Sequence, residues 1–139
     1  MTTLSLATIT LVVPDYEAGI AFYRDALGFT LIEDTDLGGG KRWVVVAPDG
    51  AGKHGANLLL ARATNDAQRA AIGNQTGGRV GFFLHTDHFA DCYNRFKAAG
   101  VVFLEEPRHE AYGTVVVFRD PFGNRWDLIE LPDRTERHT

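Results

Sequence analysis

The sequence predicts an α+β fold made of two βαβββ modules, and three observations support that prediction. Its 139 residues are 45% hydrophobic, which supplies enough apolar side chains for the core of one domain. Strand-like and helix-like segments follow each other twice in the same order, as strand, helix and three strands. Matching residues recur 72 positions apart, from Asp15 to Asp87 and from Gly28 to Gly100. Because a module of about 60 residues buries too little surface to be stable alone, we expect one domain over 1–139.

The first module spans about residues 5–62. Alternating apolar residues predict a strand over 5–13, and apolar residues at helical spacing predict a helix over 15–27. Asp15 is a residue type that caps a helix N-terminus, and Gly28 is one that ends a helix with positive φ. Further strands are predicted to begin at Phe29, Arg42 and Asn57, separated by glycines 38–40 and by the turn 48–50.

Residues 63–78 lose the apolar pattern and predict a linker with one or two helical turns. The second module, about 79–131, begins with a strand at Val80 and a helix capped by Asp87 and ended by Gly100. Its other strands are predicted to begin at Val101, Gly113 and Asn124, and the charged segment 132–139 is predicted to be a tail.

Charge and cysteine content exclude several classes of function. With 14 basic and 18 acidic side chains the net charge is -4, so nucleic acid and anionic membranes are not expected partners. One cysteine, Cys92, forms no intramolecular disulfide, which favours a reducing cytoplasm. No apolar run approaches the roughly 20 residues that span a bilayer, so no membrane segment is expected.

Three segments carry a resemblance to a known family: VVPDYEAGIAFYRDALGF, DHFADCYNRFKAAGV and VVVFRDPFGNRWDLIEL. Over about residues 5–131 the chain resembles the glyoxalase, bleomycin-resistance and extradiol-dioxygenase group, the vicinal oxygen chelate superfamily. The resemblance implies that the two modules form a cup-shaped, eight-stranded mixed sheet, with helices on its convex side and a ligand or metal on its concave side. It also implies a homodimer whose clefts are completed by the partner chain.

Metal-dependent members of this group carry their ligands on the first and last strands of each module. The corresponding positions here hold Thr8, a residue near Leu59, Val80 and Asp127, of which only Asp127 is a ligand type. One carboxylate cannot hold a transition metal, so we expect neither a metal nor another cofactor. The five histidines are predicted to be structural or surface residues, with His85 on the helix side of its strand; they are His54, His85, His88, His109 and His138.

Strand alternation assigns side chains to the concave face. The predicted lining residues are Thr8, Thr10, Asn57, Leu59, Val80, Phe82, Leu84, Arg125 and Asp127. Tyr112 is added because EAYGTVVVF resembles a segment that borders the pocket in this family. This mostly apolar lining with a few polar groups suits a small, partly apolar organic ligand. The alternative is that side chains simply fill the cup.

Two features of the predicted lining, a charged pair and a tyrosine, each have two interpretations. Asp127 and Arg125 are two apart on one strand face, so they either grip a polar group of a ligand or form an internal ion pair. Tyr112 either contacts a planar ligand or packs at the rim.

The leading functional hypothesis is a metal-free protein of the bleomycin-resistance type that sequesters a small molecule as a homodimer. The alternative is a lyase, isomerase or dioxygenase with an atypical metal site that includes Asp127. A third interpretation is a component that only contacts another protein.

Overall fold

A computed structural model of the chain describes residues 2–49 and 55–132. The predicted positions of His54 in a loop and His138 in the tail lie outside the described residues, as do the last residue of the turn 48–50 and the tail from 133 onward. The α+β class is confirmed. A single eight-stranded sheet is not, because the strands form two hydrogen-bonded sheets of four and five strands. The chain divides into two compact units, residues 1–72 and 73–139.

The first unit holds a four-stranded sheet in the order β1-β4-β3-β2. The adjacent strands β1 and β4, which are first and last along the chain in this unit, run parallel. The β4–β3 and β3–β2 pairs are antiparallel. The strands are β1 (Thr8–Val13), β2 (Thr30–Gly38), β3 (Lys41–Ala47) and β4 (Asn57–Arg62). The helices are α1 (Tyr16–Ile20), which continues as a π-helical segment (Ala21–Ala26), and α2 (Asp66–Ala71), which lies in the predicted linker.

The helix predicted over 15–27 begins and ends at the predicted residues. Asp15 Oδ1 accepts a hydrogen bond of 2.7 Å from the Ala18 amide, which satisfies one of the free N–H groups of the first turn. Gly28 follows the helix with φ of +80°, a conformation that costs glycine nothing and ends the helix.

One face of the first sheet packs against α1 and forms the core of the unit. Leu11 and Val13 of β1 and Leu60 of β4 are fully buried there, and Gly19 lets α1 approach Leu60 and Val13 closely. Thr8, Thr10 and Leu59 alternate with them and lie on the other face, exposed or half-buried. The predicted faces of β1 and β4 are therefore correct.

The second unit holds a five-stranded sheet in the order β5-β9-β8-β6, and β7 also pairs with β8. Its first and last strands, β5 and β9, are parallel. The elements are β5 (Val80–His85), α3 (Phe89–Ala98), β6 (Val102–Phe103), β7 (Arg108–Glu110), β8 (Gly113–Arg119) and β9 (Arg125–Glu130). The strand predicted at Val101 is shorter than expected, and the short β7 follows it as an additional strand.

Asp87 does not cap the second predicted helix. The helix begins after His88, and the Asp87 carboxylate instead contacts His88 Nδ1 at 2.8 Å. The Phe89 amide at the helix start donates to Glu130 Oε1 at 2.7 Å. The cap therefore comes from β9, 41 residues away along the chain.

Within residues 2–49 and 55–132, no helix has the length and apolar character needed to cross a membrane.

Candidate functional site

The register of β5 changes between Val80 and Phe82, which reverses the faces of the residues after it. Val80 lies opposite Arg125 of β9, but Phe82 lies opposite Trp126 and Phe83 opposite Asp127. The Phe82 ring stacks on the buried Trp126 ring with 4.6 Å between centroids, on the face that packs against α3. One extra residue in a strand moves every later side chain to the other face.

Two predicted lining residues, Phe82 and Leu84, are therefore assigned to the wrong face. Leu84 lies beside the fully buried Leu128, on the face with Trp126. Phe83 and His85 take the places beside Asp127 and Ile129, so His85 is not on the helix side either. Gly81 lies within the irregularity, and a glycine inside a strand pattern was the available signal for it.

Asp127 carries the unsatisfied acceptor of this face. Its Oδ1 is buried and has no hydrogen-bond partner. Burial raises the pKa of Asp127 above its usual range, Arg108 opposes the shift, and Glu105 adds to it. Among the ion pairs of the described residues none joins Asp127 to the exposed Arg125; Arg108 pairs with Glu105 and Glu110, each at 2.9 Å. The predicted alternative, an internal ion pair between Arg125 and Asp127, is therefore wrong.

Tyr112 lies in the turn between β7 and β8 with 49% of its surface exposed. The pKa of Arg108 is raised chiefly by its hydrogen bond to Glu105, and further by Tyr112 and Glu110. Tyr112 is therefore grouped with Arg108, Glu105 and Glu110 in the second unit.

A cavity of about 470 Å³ opens in the first unit, where β1 and β4 end and β3 begins. Two predicted site residues, Thr10 and Leu59, line it. Thr8 and Asn57 are paired at the other end of β1 and β4 and are not among its lining residues. We call this space the first-sheet cavity; it is lined by Thr10, Val12, Tyr16, Gly39, Lys41, Arg42, Trp43, Leu59, Leu60, Ala61, Arg62, Thr64 and Gln68.

Trp43 is the largest side chain of this lining, and it is not among the lining residues predicted from the sequence. Val45 lies opposite Leu59 in the β3–β4 pairing, so Trp43, two residues earlier, lies on the same face as Leu59. Trp43 is 40% exposed. Alternation in β3 carried this signal, but a face could be chosen only once the pairing with β4 was known.

Basic side chains surround Tyr16 at one end of the first-sheet cavity. The guanidinium carbons of Arg42 and Arg62 lie 5.2 and 5.7 Å from the centre of the Tyr16 ring. The Arg42 amide donates to the Tyr16 hydroxyl at 3.1 Å. The Arg42 guanidinium forms ion pairs of 2.6 Å with Asp34 and with Glu17, and these hydrogen bonds raise its pKa further above the usual range.

Residues 5–128 match the family model described as the Glyoxalase/Bleomycin resistance protein/Dioxygenase superfamily. The chain belongs to this superfamily. The resemblance found in the sequence is therefore confirmed over most of the chain.

Relatives of the chain include proteins of known structure. A protein of Shewanella frigidimarina (strain NCIMB 400), described as uncharacterized, is 50% identical over 131 residues, 94% of this chain and 96% of that protein. The crystal structure of UcmS2 is 29% identical with a TM-score of 0.77, covering 92% of this chain and 98% of that one. TnmS3, an antibiotic binding protein from Streptomyces sp. CB03234, is 27% identical with a TM-score of 0.74, covering 95% and 99%.

The side chains at the positions that the resemblance assigns to metal ligands, one of them near Leu59, do not fit a metal ion. Thr8 offers one weak hydroxyl donor, Leu59 and Val80 offer none, and the strand neighbours of Asp127 are Phe83 and Val117. In the part of the chain that the structure describes, no three His, Cys, Asp or Glu side chains lie together in a group that could hold a metal. A metal-dependent lyase, isomerase or dioxygenase would need donors that these residues do not supply.

Proposed function

We propose that this member of the superfamily binds a small, partly apolar organic molecule without a metal ion, in the first-sheet cavity. The observation that carries the proposal is the partly exposed Trp43 ring on the wall of a cavity that side chains leave unfilled. A buried aromatic ring contributes a large apolar area to binding, and leaving it facing water forgoes that stabilisation.

The size and lining of the first-sheet cavity support a small-molecule ligand. Its volume of about 470 Å³ falls in the range of ordinary ligand sites, roughly 300 to 1,000 Å³. Val12, Leu59 and Ala61 supply an apolar wall, while Thr10 and Gln68 add polar groups that can orient a ligand. The antibiotic-binding relative TnmS3 supports the same class of function, because its similarity extends over nearly the whole of both chains.

A blocking variant tests where the molecule binds. We expect Ala61→Trp, which adds a large ring inside the first-sheet cavity, to weaken binding of the neutral fluorophore N-phenyl-1-naphthylamine by about tenfold or more. Ala70→Trp adds the same ring at an exposed position of α2 and should leave the dissociation constant within about twofold of the parent. Fluorescence titration measures both, and equal affinities for Ala61→Trp and the parent would place the site elsewhere.

We also propose that the protein is a homodimer. Leu4, Leu6 and Phe83 are 89%, 70% and 60% exposed, and apolar side chains so exposed are typical of surfaces that a partner covers. Sedimentation velocity should give a mass near twice the 15.3 kDa of one chain. A mass near 15.3 kDa at every concentration would contradict this.

A cytoplasmic location is proposed on the single cysteine, which suits a reducing compartment. Cell fractionation that recovers the protein only outside the cytoplasm would contradict it.

A further inference from the structure

We infer that the ligand of the first-sheet cavity is an aromatic anion, with its flat body against Trp43 and its acidic group between Lys41 and Arg62. This inference rests on the proposed function and adds the chemical class of the ligand. An exposed indole and two basic side chains share the lining of this one cavity, and that combination carries the inference.

The charge of the lining is opposite to the charge of the whole chain. Lys41, Arg42 and Arg62 line the first-sheet cavity, and none of its lining residues is Asp or Glu. The chain as a whole carries a net charge of -4. A concave surface of one sign concentrates the electric field inside it, so this cavity attracts anions and repels cations.

Two of the three basic groups are not neutralised. Arg42 is paired with both Asp34 and Glu17, whose two negative charges outweigh its one positive charge. Lys41 and Arg62 take part in none of the ion pairs found among residues 2–49 and 55–132. Their positive charge is therefore available to a ligand.

The Arg62 side chain is exposed at the end of β4 and has a defined neighbour on each side. Its guanidinium lies over the Tyr16 ring on one side, and its Nη2 is 3.4 Å from where a side chain at Gly40 would begin. Gly40 thus leaves the space that the guanidinium occupies beside the tip of the β2–β3 hairpin. A guanidinium in this position can bind a carboxylate or sulfonate through two parallel hydrogen bonds.

Trp43 supplies the second half of the recognition. Its ring lines the same cavity as Lys41 and Arg62. Aromatic rings stack in offset or edge-to-face geometry, which adds about 0.5 to 1.5 kcal/mol beyond the area that they bury. A flat ring with an acidic substituent can both stack on Trp43 and pair with the basic side chains. An aliphatic anion or a neutral ring can make only one of these two interactions.

Two probes with the same aromatic body separate the effect of charge from that of shape. 8-Anilinonaphthalene-1-sulfonate is an anion, and N-phenyl-1-naphthylamine has the same ring system without the sulfonate. We expect the parent protein to bind the anionic probe about tenfold more tightly than the neutral probe, because a hydrogen bond between charged groups contributes a free energy of that size. The double variant Lys41→Gln/Arg62→Gln should lose about tenfold in affinity for the anion and stay within about twofold for the neutral probe.

A matched control excludes a general effect of net charge. The double variant Arg79→Gln/Lys97→Gln removes two exposed basic side chains of the second unit and should leave both affinities within about twofold. The inference would be overturned if both double variants lost the same affinity for the anionic probe. It would also be overturned if the parent protein bound the two probes with equal affinity. If the neutral probe binds in the first-sheet cavity under either of these outcomes, the proposed function stands; if neither probe binds, both fail.

Discussion

Replacing Gly73 with alanine is expected to lower the free energy of unfolding by about 2 to 5 kcal/mol. Gly73 has φ of +69°, and a side chain there would overlap the carbonyl oxygen of Phe122. The positive φ costs about 1 to 2 kcal/mol, and the overlap adds about 1 to 3 kcal/mol because backbone cannot rotate away as a side chain can. Urea denaturation of the parent and the variant measures the difference.

Gly77→Ala is the matched control for this prediction. Gly77 lies four residues later with φ of +67°, and nothing lies within 4 Å of the position that its side chain would take. It carries the same backbone cost without the overlap, so we expect a loss of about 1 to 2 kcal/mol. Equal losses for the two variants would show that Gly73 does not pack against Phe122 as described.

Replacing Asp120 with alanine is expected to cost about 3 to 5 kcal/mol. Asp120 is fully buried, and its Oδ1 accepts from the amides of Phe122, Gly123 and Asn124 at 2.9 to 3.0 Å. Its Oδ2 accepts from the Asn124 side-chain amide at 2.7 Å. Alanine removes the carboxylate acceptor of all four donors, and only the Gly123 amide keeps a second acceptor among the described residues, the carbonyl oxygen of residue 120 at 3.2 Å.

Asp120→Asn distinguishes loss of the acceptor from loss of packing. The asparagine retains one oxygen for the three backbone amides and loses only the bond to the Asn124 side chain. We expect it to cost about 1 to 2 kcal/mol, well below the alanine variant. A denaturant midpoint for Asp120→Ala equal to that of the parent would contradict the described turn.

The structure of the first unit could be predicted well from the sequence because the signals there come from residues close together along the chain. Asp15 and Gly28 lie at the ends of the helix that they predict, and the faces of β1 and β4 follow regular alternation. The segments quoted for the superfamily, including Asp120 and its turn, identify the family over most of the chain. These features need only neighbouring residues to be read correctly.

Features that depend on residues far apart along the chain could not be predicted from the sequence. The irregular register after Val80 is set by pairing with β9, and it moves Phe82 and Leu84 away from the predicted face. Asp87 has the residue type of a cap, yet Glu130 makes the bond because β9 brings its carboxylate to the Phe89 amide. Propensity names residues that can cap a helix, and tertiary packing decides which one does.

The first-sheet cavity shows the same limit. Thr10 and Leu59 could be assigned to it by alternation along their own strands. Trp43 required the order β1-β4-β3-β2, because only that pairing brings β3 beside β4. Arg62 has the alternation of the buried Leu60, so strand alternation alone would not assign it to the cavity. The positive lining was likewise invisible in a chain whose net charge is negative.

The most direct test of metal-free binding is the affinity for N-phenyl-1-naphthylamine after exhaustive treatment with a chelator. We expect the dissociation constant of the stripped protein to match that of the untreated protein within about twofold, and to stay unchanged on titration with Zn²⁺, Ni²⁺, Mn²⁺ or Fe²⁺. Binding that disappears on chelation, returns with one of these ions and is abolished by Asp127→Ala would contradict the account.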